Sequence, residues 1–96
     1  MNYPLWEIGA MDHVARTPEQ LGQILKSCRL ERKLTQQAAG TKVGLKQGTV
    51  SVIESDARRT SVETLYKLLS ALQLELVLRD RNGERAPAPG RKQREW

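Results

Sequence analysis

Apolar residues recur at intervals of three and four through the middle of this chain, and then, towards its C-terminal end, at intervals of two. Leu21, Ile24, Leu25 and Cys28 stand at i, i+3, i+4 and i+7, the stripe of an amphipathic helix. Its start lies in Thr17-Pro18-Glu19-Gln20: Thr17 can cap, Pro18 suits the first helical position and Gln20 completes a capping box. The helix is expected to end near Lys33, where Arg29, Arg32 and Lys33 suit the negative pole of its dipole. Those cations fit a phosphate partner and a solvated basic face equally well. Val62, Leu65, Leu68, Leu69 and Leu72 repeat the spacing behind a Ser61 cap, with Tyr66 packing at the edge. They predict a last helix that closes the core.

Between these two stripes, Leu34 to Glu54 reads as two short helices joined by a tight turn. Thr35 can accept a hydrogen bond from an otherwise unpaired N–H at the first helix start. Gln36 and Gln37 then occupy a first turn whose free N–H groups and dipole favour phosphate. Gly44 can close that helix with a positive φ while Leu45 tucks inward. The next helix is expected from Lys46 or Gln47. At 100° per residue Val50 and Ile53 share one face, and Gln47, Gly48 and Ser51 share roughly the opposite one. A helix this short must dock its apolar side. The side left over offers a lysine, an amide and a hydroxyl to base edges, the arrangement of a DNA-reading helix in a helix-turn-helix. The loop after it, Ser55 to Thr60, places Arg58 and Arg59 within plausible reach of the DNA backbone, although solvation explains them as well.

The interval of two spans Leu74-Glu75-Leu76-Val77-Leu78-Arg79, bounded by Asn82-Gly83, and predicts a strand. No second convincing strand is present to pair with it. A lone strand leaves a row of unpaired backbone groups and an exposed leucine face. The economical solution is the same strand from a second copy, antiparallel across a two-fold axis, with Leu74, Leu76, Val77 and Leu78 in the contact. The alternative is that these residues prolong the helix or pack as an extended segment. The expected fold is mainly α, a small helical bundle with a helix-turn-helix and one C-terminal β-strand pairing across a dimer. Its parts are an N-terminal extension (1–16), the helix-turn-helix domain (17–73), the dimerisation strand (74–80) and a disordered basic tail (81–96).

Composition narrows the partners. A net charge of +5 over 96 residues suits a polyanion without identifying one. One cysteine and one histidine exclude a disulfide framework and an ordinary structural zinc site. Cys28 lies on the apolar stripe and reads as a buried structural thiol, whereas His13 reads as a surface residue. No window approaches the roughly eighteen apolar residues of a membrane span, and the start lacks a basic region followed by an apolar core. A cytoplasmic, nucleoid-associated protein with no membrane partner is expected. There is no Gly-rich phosphate loop, metal-ligand cluster or spaced nucleophile–base pair, so neither enzyme activity, metal nor cofactor is expected. Tyr3, Leu5, Trp6 and Ile8 make residues 1–10 more apolar than a typical tail, and Met11 is a possible alternative start. Trp96 ends a polar segment, either inserting into a partner or present by accident of sequence.

Leu34-Thr35-Gln36, followed by GLKQGTVSVIE from Gly44, resembles the phage-repressor (Cro/CI, XRE-like) class of helix-turn-helix domains. With TLYKLLSALQLELVLRD and the final Glu95-Trp96, the chain resembles HipB-type antitoxin/repressors within that class, over roughly Thr17 to Asp80 plus the last dipeptide. The resemblance implies a lambda-repressor-like fold whose strand forms an intersubunit lid. It implies a homodimer on a double-stranded DNA operator with an inverted repeat, and a HipA-like kinase toxin as partner. Base contacts would fall on Lys46, Gln47 and Ser51, with Gly48 letting the backbone approach the groove. DNA-backbone contacts would fall on Gln36, Gln37, Thr49, Arg58 and Arg59, and toxin or protease recognition on Trp96. Two features depart from the family: Ala39-Gly40 stands where Leu-Ala is usual, and the tail is longer and more basic. A mid-helix Gly costs about 1 kcal/mol relative to Ala. A stand-alone repressor without a toxin, or an interaction module that has lost DNA reading, are the alternative functions.

Overall fold

The computed structural model describes residues 12–81. Four α-helices and one 3-10 turn pack around an aliphatic core. Helix α1 (Pro18–Glu31) starts as its sequence predicts, with the Thr17 hydroxyl accepting from the Gln20 N–H at 3.0 Å. Helix α2 (Gln36–Thr41) and helix α4 (Val62–Ala71) have matching caps in Thr35 and Ser61. Helix α3 (Gln47–Ser55) has Lys46 at its cap position with no side-chain bond, so its N-terminal turn is left open. The polar connection after α3 contains a 3-10 turn (Ala57–Arg59) that buries Ala57.

The core is Leu25, Cys28, Ala39, Val50, Ile53, Leu68, Leu69 and Leu72, with Leu21, Ile24, Leu34, Leu45, Leu65 and Leu74 packed partly against it. Among the described residues no phenylalanine, tyrosine or tryptophan enters it: Tyr66, the only one of these, is half-exposed on α4. Val62, which shares the predicted stripe, faces outward at 67% exposure because it sits in the first turn, beyond the end of the core. Cys28 is buried as expected, and burial pushes its thiol up from the ordinary range, which leaves it a poor nucleophile. His13 is exposed, yet its Nε2 lies 3.6 Å from the Cys28 sulfur.

Both long helices end in a Schellman turn built without glycine. Lys33 (φ 58°) and Gln73 (φ 59°) take the left-handed conformation, and the next residue's N–H returns to the helix: Leu34 to the Arg29 carbonyl at 3.1 Å, Leu74 to that of Leu69 at 2.8 Å. The second turn excludes prolongation of α4 into residues 74–80. Leu74 drops against the core, while Leu76, Val77 and Leu78 are 50%, 68% and 90% exposed. Within one chain, this segment carries no ladder hydrogen bonds, and a strand there needs a second chain to pair with. Arg79 reaches back to Asp12 at 3.2 Å. The expectations for residues 1–11 and for the tail from residue 82, Trp96 included, lie outside the described residues.

Candidate nucleic-acid interface

The turn between α2 and α3 depends on a close approach of backbone to backbone. Gly44 takes φ 76°, and the Leu45 N–H donates to the Gly40 carbonyl at 2.8 Å. Gly40 is buried, and a methyl group there would run into the Leu45 carbonyl oxygen. The glycine that costs helix propensity is therefore what lets the turn close. Val50 and Ile53 anchor α3 from below at zero exposure, so its opposite side is held outward.

On that outer side Gln47 and Gly48 are exposed and Ser51 is half-buried. Gly48 has open space around it, and no described acid pairs with Lys46. Two shallow grooves flank the helix. One is lined by Lys46, Gly48, Thr49, Val52, Arg59 and Thr60. The other is lined by Glu19, Gln23, Lys26, Gln36, Ser51, Glu54 and Ser55. The structure thus gathers Lys46, Gly48, Thr49 and Arg59 on one side of α3, and Gln36 with Ser51 on the other. Gln37 is exposed on α2.

Arg58 stands apart from both. Its guanidinium donates to Asp56 at 2.9 and 3.1 Å and lies 3.3 Å from Glu19, which ties the 3-10 turn to the start of α1. Those hydrogen bonds hold the Asp56 carboxyl below the usual carboxylate range and raise Arg58 further. Arg59 has no such partner among the described residues.

Beneath the exposed face lies a buried pair that the sequence reading missed. Arg29 and Glu54 are 6% and 7% exposed, and Arg29 Nε donates to Glu54 Oε2 at 2.6 Å and Nη2 to Oε1 at 3.1 Å. Arg29 Nη1 also donates to the Leu34 carbonyl at 2.7 Å, so one guanidinium joins α1, the approach to α2, and α3. Gln36 Nε2 donates to Glu54 Oε1 at 3.0 Å, and Gln36 Oε1 accepts from Gln47 Nε2 at 2.6 Å. The available signal was periodicity: Arg29 falls four residues after Leu25, and Glu54 four after Val50, each on a buried edge.

The helix-turn-helix family profile matches residues 25–78. Over 80 residues the chain is 32% identical to antitoxin HipB of Escherichia coli O6:H1 strain CFT073, an alignment spanning 83% of this chain and 85% of that protein. The chain belongs to the HipB family of helix-turn-helix proteins. The fold agrees: a chain of the HipB-O4 20mer complex superposes with a TM-score of 0.69 at 31% identity, covering 73% of this chain and 99% of that one. A chain of the HipA-HipB-O2-O3 complex gives the same score, identity and coverage. Membership in the HipB family accounts for the mainly helical architecture.

Proposed function

We propose that this protein is a dimeric, sequence-specific DNA-binding repressor that acts as the antitoxin of a HipA-like serine/threonine kinase toxin and represses its own operon from the cytoplasm. The observation that carries this reading is the polar face of α3, where Lys46, Gln47, Gly48 and Ser51 stand clear of a core that fixes their helix from behind. Lys46 suits guanine O6 or N7, Gln47 suits adenine, and Ser51 supports either. The family relatives solved with a 20mer and with HipA support both the DNA and the toxin side.

Gln47→Ala is expected to cost about 1–3 kcal/mol at its own base pair and far less on unrelated DNA. Quantitative gel shifts on operator variants measure this, and an equal loss on all sequences would remove Gln47 from the reading role. Thr49 and Arg59, beside Lys46 in the same groove, are assigned to the DNA backbone, with Gln36 and Gln37 as further uncharged contacts. Arg59→Ala should weaken all sequences alike and lower the salt slope of binding by about 1. Arg58 reaches DNA only by giving up a carboxylate, so Arg58→Ala should change that slope less.

Leu74, Leu76, Val77 and Leu78 are assigned to pairing with a second copy, which positions two reading helices on an inverted repeat. Leu76→Asp or Leu78→Asp should weaken self-association by about 3 kcal/mol, roughly a hundredfold, because a charge is forced into an apolar contact. Sedimentation across a concentration series checks this, and an unchanged dimer would sink the assignment. The toxin is assigned to Trp96 and the outer surface of the dimer. Footprinting upstream of the protein's own gene, together with co-purification of an adjacent kinase-like product, tests the whole. A footprint without a co-purifying kinase would leave a stand-alone repressor.

A further inference from the structure

The chain of contacts from Arg29 to Gln47 has a direction. A carboxylate bound to a guanidinium accepts hydrogen bonds and donates none. Glu54 receives Arg29 on both its oxygens, and its Oε1 also receives Gln36. The amide of Gln36 is therefore turned with its NH₂ group inward, whatever else surrounds it. Its carbonyl oxygen consequently faces out, and it takes one N–H of Gln47 at 2.6 Å. What Gln47 has left for a ligand is its own Oε1 as acceptor and its second N–H as donor. That pair complements the major-groove edge of adenine, which offers the N6 amino donor and the N7 acceptor. Guanine offers two acceptors, O6 and N7, and would need two donors.

From this geometry we infer that the buried Arg29–Glu54 pair sets base preference at the Gln47 position, through Gln36, by fixing which end of the Gln47 amide points outward. Glu54 and Gln36 are positioning residues. If Gln36 turned over, its NH₂ group would occupy Gln47 Oε1 and leave Gln47 with two N–H donors, the complement of guanine. The preference for adenine is thus relayed from a charge beneath the interface, through two amides, to the base. The inference rests on Gln47 acting as a reading residue, as proposed above.

The test compares affinities for two duplexes that differ only at the base pair read by Gln47. An operator selected from a randomised duplex pool is substituted pair by pair, and the position where Gln47→Ala loses discrimination is the one used. The wild-type protein should prefer adenine to guanine there by roughly tenfold or more. Glu54→Gln replaces a pure acceptor by an amide that can present either end, so the preference should fall by about tenfold, towards parity. Thermal unfolding verifies that this variant is folded. Gln36→Met cuts the relay while leaving Arg29–Glu54 intact, and should give the same loss even if Glu54→Gln does not fold. The ratio of affinities cancels any uniform loss from a phosphate contact by Gln36. A preference unchanged in Gln36→Met, or in a folded Glu54→Gln, would overturn the relay alone. A wild-type protein indifferent to every base pair that Gln47→Ala affects would overturn the reading role, and the relay with it.

Discussion

Arg29→Met is expected to destabilise the domain by about 3–5 kcal/mol, the cost of leaving a buried charge without its partner. Glu54 would keep Gln36 as a neutral donor, but both bonds from the guanidinium would be gone, and the Leu34 carbonyl would lose its donor too. At roughly 0.05–0.15 kcal/mol per residue, a domain of this size has a total stability not much larger than that loss. The variant should therefore retain only marginal stability at 25 °C. Urea titration followed by helical circular dichroism measures the difference, and a change below 1 kcal/mol would mean that water reaches Glu54. The double variant Arg29→Met, Glu54→Leu should recover most of the loss, because an apolar pair of similar volume often matches a buried ion pair. Stability and base preference would then separate, since the double variant still leaves Gln36 without its acceptor.

Gly22→Ala should also destabilise, against the trend for glycine in a helix. Replacing an interior helical glycine by alanine ordinarily gains about 1 kcal/mol. Here the new methyl carbon would lie 2.6 Å from the Glu54 carbonyl oxygen and 2.8 Å from that of Ile53. Both are backbone atoms of α3 and cannot swing aside, so α1 and α3 must move apart. A net loss of about 1–3 kcal/mol is expected from such overpacking. Gly48→Ala is the control: nothing lies within 4 Å of that position, so the propensity gain should appear unopposed as a small rise in thermal midpoint. Stabilisation by Gly22→Ala would show that the α1–α3 crossing relaxes without cost.

What could be read from the chain alone divides by the range of the forces involved. Helix starts at Thr17, Thr35 and Ser61 were legible because a cap is a local bond between residues three apart. The turn at Gly44 was legible for the same reason, since a positive φ is a property of one residue. Arg29 was not, because a basic residue in the last turn of a helix is explained equally by the helix dipole, and Glu54 lies twenty-five residues away. On propensity alone Gly40 is a weakness, since its compensation, a close approach to Leu45, exists only once the turn has formed. Val62 satisfied the period of the stripe but lay past the end of the core, a distinction that periodicity does not contain. Among the predicted interface residues, the grouping of Lys46 with Arg59 and the capture of Arg58 by Asp56 and Glu19 likewise required three-dimensional placement.

Among the described residues the core holds no tryptophan, so it has no indole fluorescence of its own. Both tryptophans, Trp6 and Trp96, belong to the ends of the sequence, and Tyr66 is the sole phenylalanine, tyrosine or tryptophan between Asp12 and Arg81. Emission excited at the red edge of the spectrum would report those ends. With Trp6→Phe, Trp96 becomes a native single-site probe, and a blue shift on adding a partner would time the capture of the tail directly.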